Sequence, residues 1–336
     1  MTTPRAGVAR IYYLTPDHPA PSWGQGLLYE HVRLLREEGF DAWVLHERPP
    51  FRLPWLDSDV PVAYLHGGGL DAGPDDLLVV PENIAARMLG LPWPGRRGVF
   101  VQGSFLTLVG HQQAVRYPDL GYEFALTLMP HVSRVVREHF GVEPFEVPPF
   151  IAPYFFRSPE EIRAQWRENV VLLVCKDDYR HVGFPDYDIF TKLMRRFCAE
   201  QAGGWRVEEL VDLVHVEVAE RMASSAFLVN LNSHEAFNST VPEAMAAGCA
   251  VLCYEAVGGR DFLVDGSNAF VFANHHVYEL VERLQRLMAR GVAAPELDRL
   301  REAARRTAGR FDQAATRKAL ADAFATLLAP KPLAVR

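Results

Sequence analysis

No stretch of this 336-residue chain is apolar over the roughly twenty residues that a membrane-spanning helix needs. The opening MTTPRAGVAR lacks the apolar core of a secretory leader, so a cytoplasmic protein is expected. The cysteines Cys175, Cys198, Cys249 and Cys253 form no C-x-x-C pair and show no metal-ligand spacing. Most lie in or beside apolar runs, where a thiol acts as a small hydrophobe, and the set fits a reducing compartment. Excess positive charge is also missing: the formal net charge of −7 argues against a dedicated nucleic-acid binder. No repeat of solenoid period recurs. There is no G-x-S-x-G nucleophile elbow. His66-Gly67-Gly68-Gly69, which could otherwise supply oxyanion-hole amides, therefore reads as a turn, and a hydrolase is rejected.

What is present is apolar residues in quantity, 49% of the chain, enough for about two domains with cores of their own. The organising stretch is 226–266, AFLVNLNSHEAFNSTVPEAMAAGCAVLCYEAVGGRDFLVDG. It predicts a strand over Ala226–Leu231, a polar loop over Asn232–Ser239, a helix over Thr240–Ala247 and a strand over Cys249–Tyr254. Both strands are continuous apolar runs, as in a parallel sheet covered on both faces. Gly248 stands where a helix C-terminal glycine belongs. In open parallel sheets ligands bind at the loops that follow strand C-termini. That loop carries Glu235, and Glu243 lies eight residues on, in the first turn of the helix. The amides of Ala236, Phe237, Asn238, Ser239 and Thr240 lead into a helix start, where N–H groups and the helix dipole favour an anion. One carboxylate could accept hydrogen bonds from sugar hydroxyls and the other from a ribose, with a phosphate on the amides. Thr240-Val241-Pro242-Glu243 equally fits a capping box, Thr at the cap and Glu at the third helical position.

HEAFNSTVPEAMAAGCAVLCYEAVGGRDFLVDGSNAFVF resembles the donor-binding motif of family-four retaining glycosyltransferases of the GT-B fold. That motif has a Glu, seven residues, a second Glu, a small-residue helix, a Gly, an apolar strand and a Gly-Gly before an acidic stretch. The resemblance implies that Glu235 contacts the donor sugar and Glu243 the ribose. The family usually has Gly-Phe-Gly after the first Glu, whereas this chain has Ala236-Phe237-Asn238.

Upstream, Val8–Leu14, a proline-rich loop, a helix opening at Gly24-Gln25-Gly26, and Ala42–His46 form a βαβ pattern. Glycines there let backbone approach a ligand closely, and the family carries a glycine-rich loop at this place near the donor phosphates. Gly24 and Gly26 are donor-site candidates on that basis; the plain alternative is a turn. Short strands are expected at Pro61–Leu65, Leu77–Val80, Val99–Gln102 and Ala125–Leu128. Gln102, Gly103 and Ser104 end one of them, near the position where family enzymes often have a His beside the reacting sugar. Gln102 stands there, with His111 further on. Ser133 is expected to cap the helix before the interdomain crossing.

The segment Glu143–Pro159 contains five prolines and predicts a boundary. Domains of 1–152 and 153–312 are expected, with 313–336 a terminal helix returning to the first. Val170–Cys175 starts a second sheet. The family has an Arg and, five residues later, a Lys against the donor diphosphate; Lys176 occupies the first place, His181 the second, with Arg180 adjacent. Cations there stabilise charge on a leaving group, while salt bridges to Asp177 or Asp178 are the plain alternative. Val211–His215 is expected as a strand and Glu217–Ser224 as a helix; by resemblance Val214 and His215 border the nucleotide base. Interleaved Arg and Glu over 279–310 fit solvated helices.

These expectations amount to an α/β chain of GT-B type, two Rossmann-like domains with a cleft between them. The resemblance implies a retaining transferase moving sugar from a nucleotide-diphosphate sugar to an acceptor hydroxyl. The donor is a co-substrate, and neither cofactor nor metal is required. Glu235, Lys176 and Gln102 are the expected catalytic residues. Two alternatives remain open: an epimerase or phosphorylase on the same fold, and a degenerate GT-B binding protein, suggested by the altered Arg/Lys pair. The acceptor (small molecule, glycan or lipid-linked) and any membrane association are open as well.

Overall fold

The computed structural model describes residues 9–67, 70–103, 116–158, 160–161, 168–174, 185–200, 203–211 and 213–330. Two compact units are present. One runs to Pro148 and takes in the chain from Ala314 onward; the other is Pro149–Gln313. No helix among the described residues is long and apolar enough to cross a membrane.

The first unit holds a parallel seven-stranded sheet among its described residues. Its strands are β1 (Arg10–Leu14), β2 (Asp41–His46), β3 (Val62–Tyr64), β4 (Leu77–Pro81), β5 (Arg96–Val101), β6 (Phe124–Thr127) and β7 (Pro144–Glu146), in the order 3-2-1-4-5-6-7. The chain leaves β1 towards one edge and returns on its other side at β4. The strand order therefore reverses between β1 and β4, where open α/β sheets bind ligands. β1 and β4 are buried along nearly their whole length, as apolar runs between two helical layers require. Helix α1 (Trp23–Glu37) buries Leu28, Val32 and Leu35, one face at helical spacing. Helix α2 starts at Pro130, not Ser133, and continues through a π turn to Phe140. Ser133 lies inside it, with its Oγ 2.7 Å from Thr127 Oγ1 and 3.2 Å from the Met129 carbonyl. Proline at the first helical position supplies the start that serine was expected to give.

The second unit holds a parallel five-stranded sheet, again among described residues. Its strands are β8 (Glu168–Val174), β9 (Arg206–Leu210), β10 (Ser225–Asn230), β11 (Ala250–Tyr254) and β12 (Phe270–Phe272), ordered 12-11-10-8-9. The order reverses between β8 and β10. The helices are α3 (Pro185–Glu200), α4 (His215–Ser224), α5 (Thr240–Ala247), α6 (Val277–Arg290) and α7 (Pro295–Ala308). Every residue of α5 from Val241 to Ala247 is buried, and its alanines let it lie close against β10, β11 and α7. Gly248 ends it at φ +87°, a left-handed C-cap.

One expected strand, 211–215, is misplaced: its described residues are not in a strand, and the edge strand is Arg206–Leu210. The outward residues of β9 hid it. Arg206 pairs with Glu168 and Glu208, and Arg221 pairs with Glu208. The more apolar run that follows is surface, with Val211, Leu213, Val214 and Val216 all exposed.

The last helix, α8 (Gln313–Leu328), packs on the first sheet. Phe324 meets Tyr13 and Phe40, and Thr316 donates to the Pro148 carbonyl at 2.7 Å. Beneath, His31 of α1 is fully buried against Tyr13 and Phe100, and neither ring nitrogen has a hydrogen-bond partner. Burial pushes its pKa from 6.5 down to about 3, so the folded protein holds it neutral. Between these values the unfolded chain takes up a proton that the folded chain refuses. Stability therefore falls as pH drops below 6.5, by up to about 1.4 kcal/mol per pH unit. His31→Leu is expected to raise the thermal midpoint more at pH 5 than at pH 8. Scanning calorimetry at the two pH values checks this, and an unchanged difference between them would count against it.

Candidate donor site

The site grows from the C-terminal end of β10. Asn230 closes that strand, and its side chain forms a reciprocal amide pair with Asn238. Asn230 Nδ2 donates to Asn238 Oδ1 at 3.0 Å, and Asn238 Nδ2 donates back to Asn230 Oδ1 at 3.1 Å. The same Asn230 oxygen accepts the Asn232 N–H at 2.9 Å. Asn232 Oδ1 in turn accepts the N–H groups of His234 and Glu235, at 3.0 and 3.3 Å. Asparagine side chains thus stand in for backbone partners and hold the loop in shape.

The departure from Gly-Phe-Gly now has a physical reading. Asn238 sits at φ +53°, the left-handed region that asparagine tolerates best among residues with a side chain. It serves where the family uses glycine and adds the amide pair. Phe237 is buried against Phe262 and Phe311. Ala236 lies under the turn at 258–259, where Gly258 donates its N–H to the Glu235 carbonyl at 3.2 Å. A Cβ on Gly258 would fall 1.3 Å from the Ala236 oxygen. The Gly-Gly turn is therefore a buttress against the back of the Glu235 loop. The side chains of Ala236 and Phe237 are spent on packing, and their backbone is what remains for a ligand.

Helix α5 settles the capping question. Ser239 is the N-cap, without a side-chain cap bond, and Thr240 is the first helical residue. Glu243 is thus the fourth helical residue, and Pro242 the third, where a missing N–H is harmless. The Glu243 carboxylate, 4% exposed, turns to another element: its Oε1 is 3.1 Å from His215 Nε2 at the start of α4. His215 Nδ1 is 2.6 Å from the Tyr154 hydroxyl. A carboxylate oxygen only accepts, so Nε2 carries a proton towards Glu243, and Nδ1 pairs with the Tyr154 hydroxyl. Phe155 packs on the same ring at 4.8 Å. Val214, 63% exposed, directly precedes His215, and its N–H donates to Glu217 at 3.1 Å.

A hollow beside this loop is lined by Asp186, Asn232, Ser233, His234 and Thr240. Asp186 is itself buried, with Tyr254 and His275 donating to its Oδ2 at 2.9 and 2.8 Å. Lys176, Arg180 and His181 lie outside the described residues, as do Ser104 and His111.

In the first unit Gly24 and Gln102 meet. Gln102 Nε2 donates to the Gly24 carbonyl at 3.3 Å, and a Cβ on Gly24 would lie 2.4 Å from Gln102 Oε1. Gly26 passes close to the Trp55 ring. Sequence reasoning missed Tyr154, Asn230, Asn232 and Asp186. Only the two asparagines carried a local signal, as residues that turn a chain after a strand.

Two doubly wound parallel units in one chain are the architecture of the GT-B fold. Residues 212–307 match the family model of glycosyl transferases group 1. The chain has the GT-B fold, and the family match lies within its second unit. Its fold is similar to a sucrose-phosphate synthase from Thermosynechococcus elongatus, at 14% identity and a TM-score of 0.69, covering 96% of this chain and 99% of that one. It is also similar to HepE from Anabaena in complex with UDP and glucose, at 14% identity and a TM-score of 0.67, covering 95% and 100%. A glycosyltransferase from Rickettsia africae matches at 10% identity and a TM-score of 0.64, covering 96% and 99%. No curated protein sequence matches.

Gly258→Ala is expected to push the Ala236 carbonyl aside and disorder the loop, lowering stability by about 1–3 kcal/mol. Thermal denaturation of the purified variant measures it; an unshifted midpoint would contradict the buttress.

Proposed function

We propose that the protein transfers a sugar from a nucleotide-diphosphate sugar to an acceptor hydroxyl with retention at the anomeric carbon. The observation that carries this reading is the buried Glu243, held by His215 at the head of α5, eight residues beyond Glu235 in a loop braced from behind. A carboxylate fixed on one oxygen keeps the other for a ribose hydroxyl pair. Glu235 orients the donor sugar. The amides from Ala236 to Thr240 take up phosphate charge at a helix N-terminus, and Gly24 and Gly26 allow close backbone approach. Val214 and His215 border the base. Lys176 and Arg180 complete the charge balance, so that no metal ion is needed. A uridine-linked donor is the first to try, because HepE was crystallised with UDP-glucose and a pneumococcal O-GlcNAc transferase of similar fold with UDP and GlcNAc.

The transfer breaks the bond between the anomeric carbon and the diphosphate oxygen and forms one from that carbon to the acceptor oxygen, on the same face. The acceptor proton passes to the departing phosphate oxygen. The enzyme's part is positioning and charge stabilisation rather than a carboxylate nucleophile pair. We place the activity in the cytoplasm.

Glu235→Ala should lose turnover by roughly a hundredfold or more while still binding nucleotide, because it removes an orienting contact at the reacting sugar. Nucleotide release from UDP-, GDP-, dTDP- and ADP-glucose, with and without candidate acceptors, provides the rate. Wild-type turnover in the variant would end the assignment. Tight binding by the native protein without turnover would point instead to a binding protein.

A further inference from the structure

The first unit buries a carboxylate where its strand order reverses. Glu82 directly follows β4, beside β1, and is 2% exposed. Its own N–H donates to the Phe100 carbonyl at 3.1 Å. Its Oε1 accepts the N–H groups of Gln102 and of Gly103, each at 3.1 Å, just past the end of β5. Gln102 then reaches across to Gly24 at the head of α1. One acidic oxygen thus sets the path of the chain that carries Gln102, and a Cβ at residue 24 would have to displace the Gln102 amide.

A fold needs no charge here. A neutral amide oxygen would accept the same two N–H groups without the desolvation that burying a carboxylate costs. That desolvation lifts the pKa of Glu82 from 4.5 to about 7, against the pull of the amides of Glu82, Gln102 and Gly103, and no charged side chain is among the causes. The ionised form offers acceptors only. Protonation converts one oxygen into a donor and weakens the hold on the two amides.

We propose that Glu82 is a positioning residue for sugar transfer, acting through the backbone of Gln102 and Gly103 to fix Gln102 against Gly24. The proposal rests on the glycosyltransferase reading above. The ionised carboxylate gives the aligned state, so activity is expected to fall on the acid side.

The test is nucleotide release from the same four glucose donors with water as acceptor, between pH 5.5 and 9. Wild type should show an acid limb with a midpoint near the pKa of about 7. Glu82→Ala should lower kcat roughly ten- to a hundredfold with donor KM little changed, the signature of misplacement rather than lost binding. Glu82→Gln should recover most of that loss, and its acid limb should vanish. A Glu82→Ala enzyme with wild-type kcat would overturn the inference alone. So would a Glu82→Gln enzyme that keeps the acid limb, a readout that stands even where the alanine variant does not fold. A wild type that releases no nucleotide from any donor would overturn the transferase reading and this inference with it.

Discussion

Backbone pressed on backbone at Gly258 and Ala236 is the contact on which the Glu235 loop depends. With the Ala236 oxygen where a Cβ would otherwise stand, the turn after β11 supports the loop after β10. Everything that faces outward from the loop inherits its position from that contact and from the asparagine pair on the other side. The loop is held by an apolar ring at its centre, by side-chain amides at its root and by a bare glycine at its back. None of these groups has to touch a ligand to decide where Glu235 stands.

The local features were legible because their causes are local. Thr240–Ala247 reads as a helix from its composition and its terminal glycine, and the structure returns those bounds with Gly248 left-handed. The parallel strands show as apolar runs, and recognition of the group 1 pattern came from the glutamate spacing. What escaped needed the third dimension. Tyr154 and His215 meet although 61 positions separate them. Glu82 reaches Gln102 only because β4 and β5 are neighbours. Residues 211–216 misled for another reason: apolar residues signal burial only on average. Here the strand is the charged stretch before them. Glu243 shows a third kind of ambiguity, since capping and ligand binding use the same residue type at the same spacing. Only the direction of the side chain separates the two.

The two units share a device. In each, a carboxylate removed from water lies beside the strand reversal of its sheet: Glu243 at the head of α5 and Glu82 after β4. Neither is neutralised by a lysine or arginine in the described contacts. Glu243 is met by an imidazole, and Glu82 by backbone amides. A carboxylate buried in this way does little for stability, and both lie at strand reversals, the places where open α/β sheets bind ligands.

The terminal helix has a consequence for how the chain is made. The second unit is one continuous segment, Pro149–Gln313, set between two parts of the first. On the ribosome, the later-numbered unit has all its residues while the earlier one still waits for α8. Until that helix emerges, Tyr13 and Phe40 lack the ring of Phe324 against which they pack. The half of the protein synthesised first is therefore the half that is finished last.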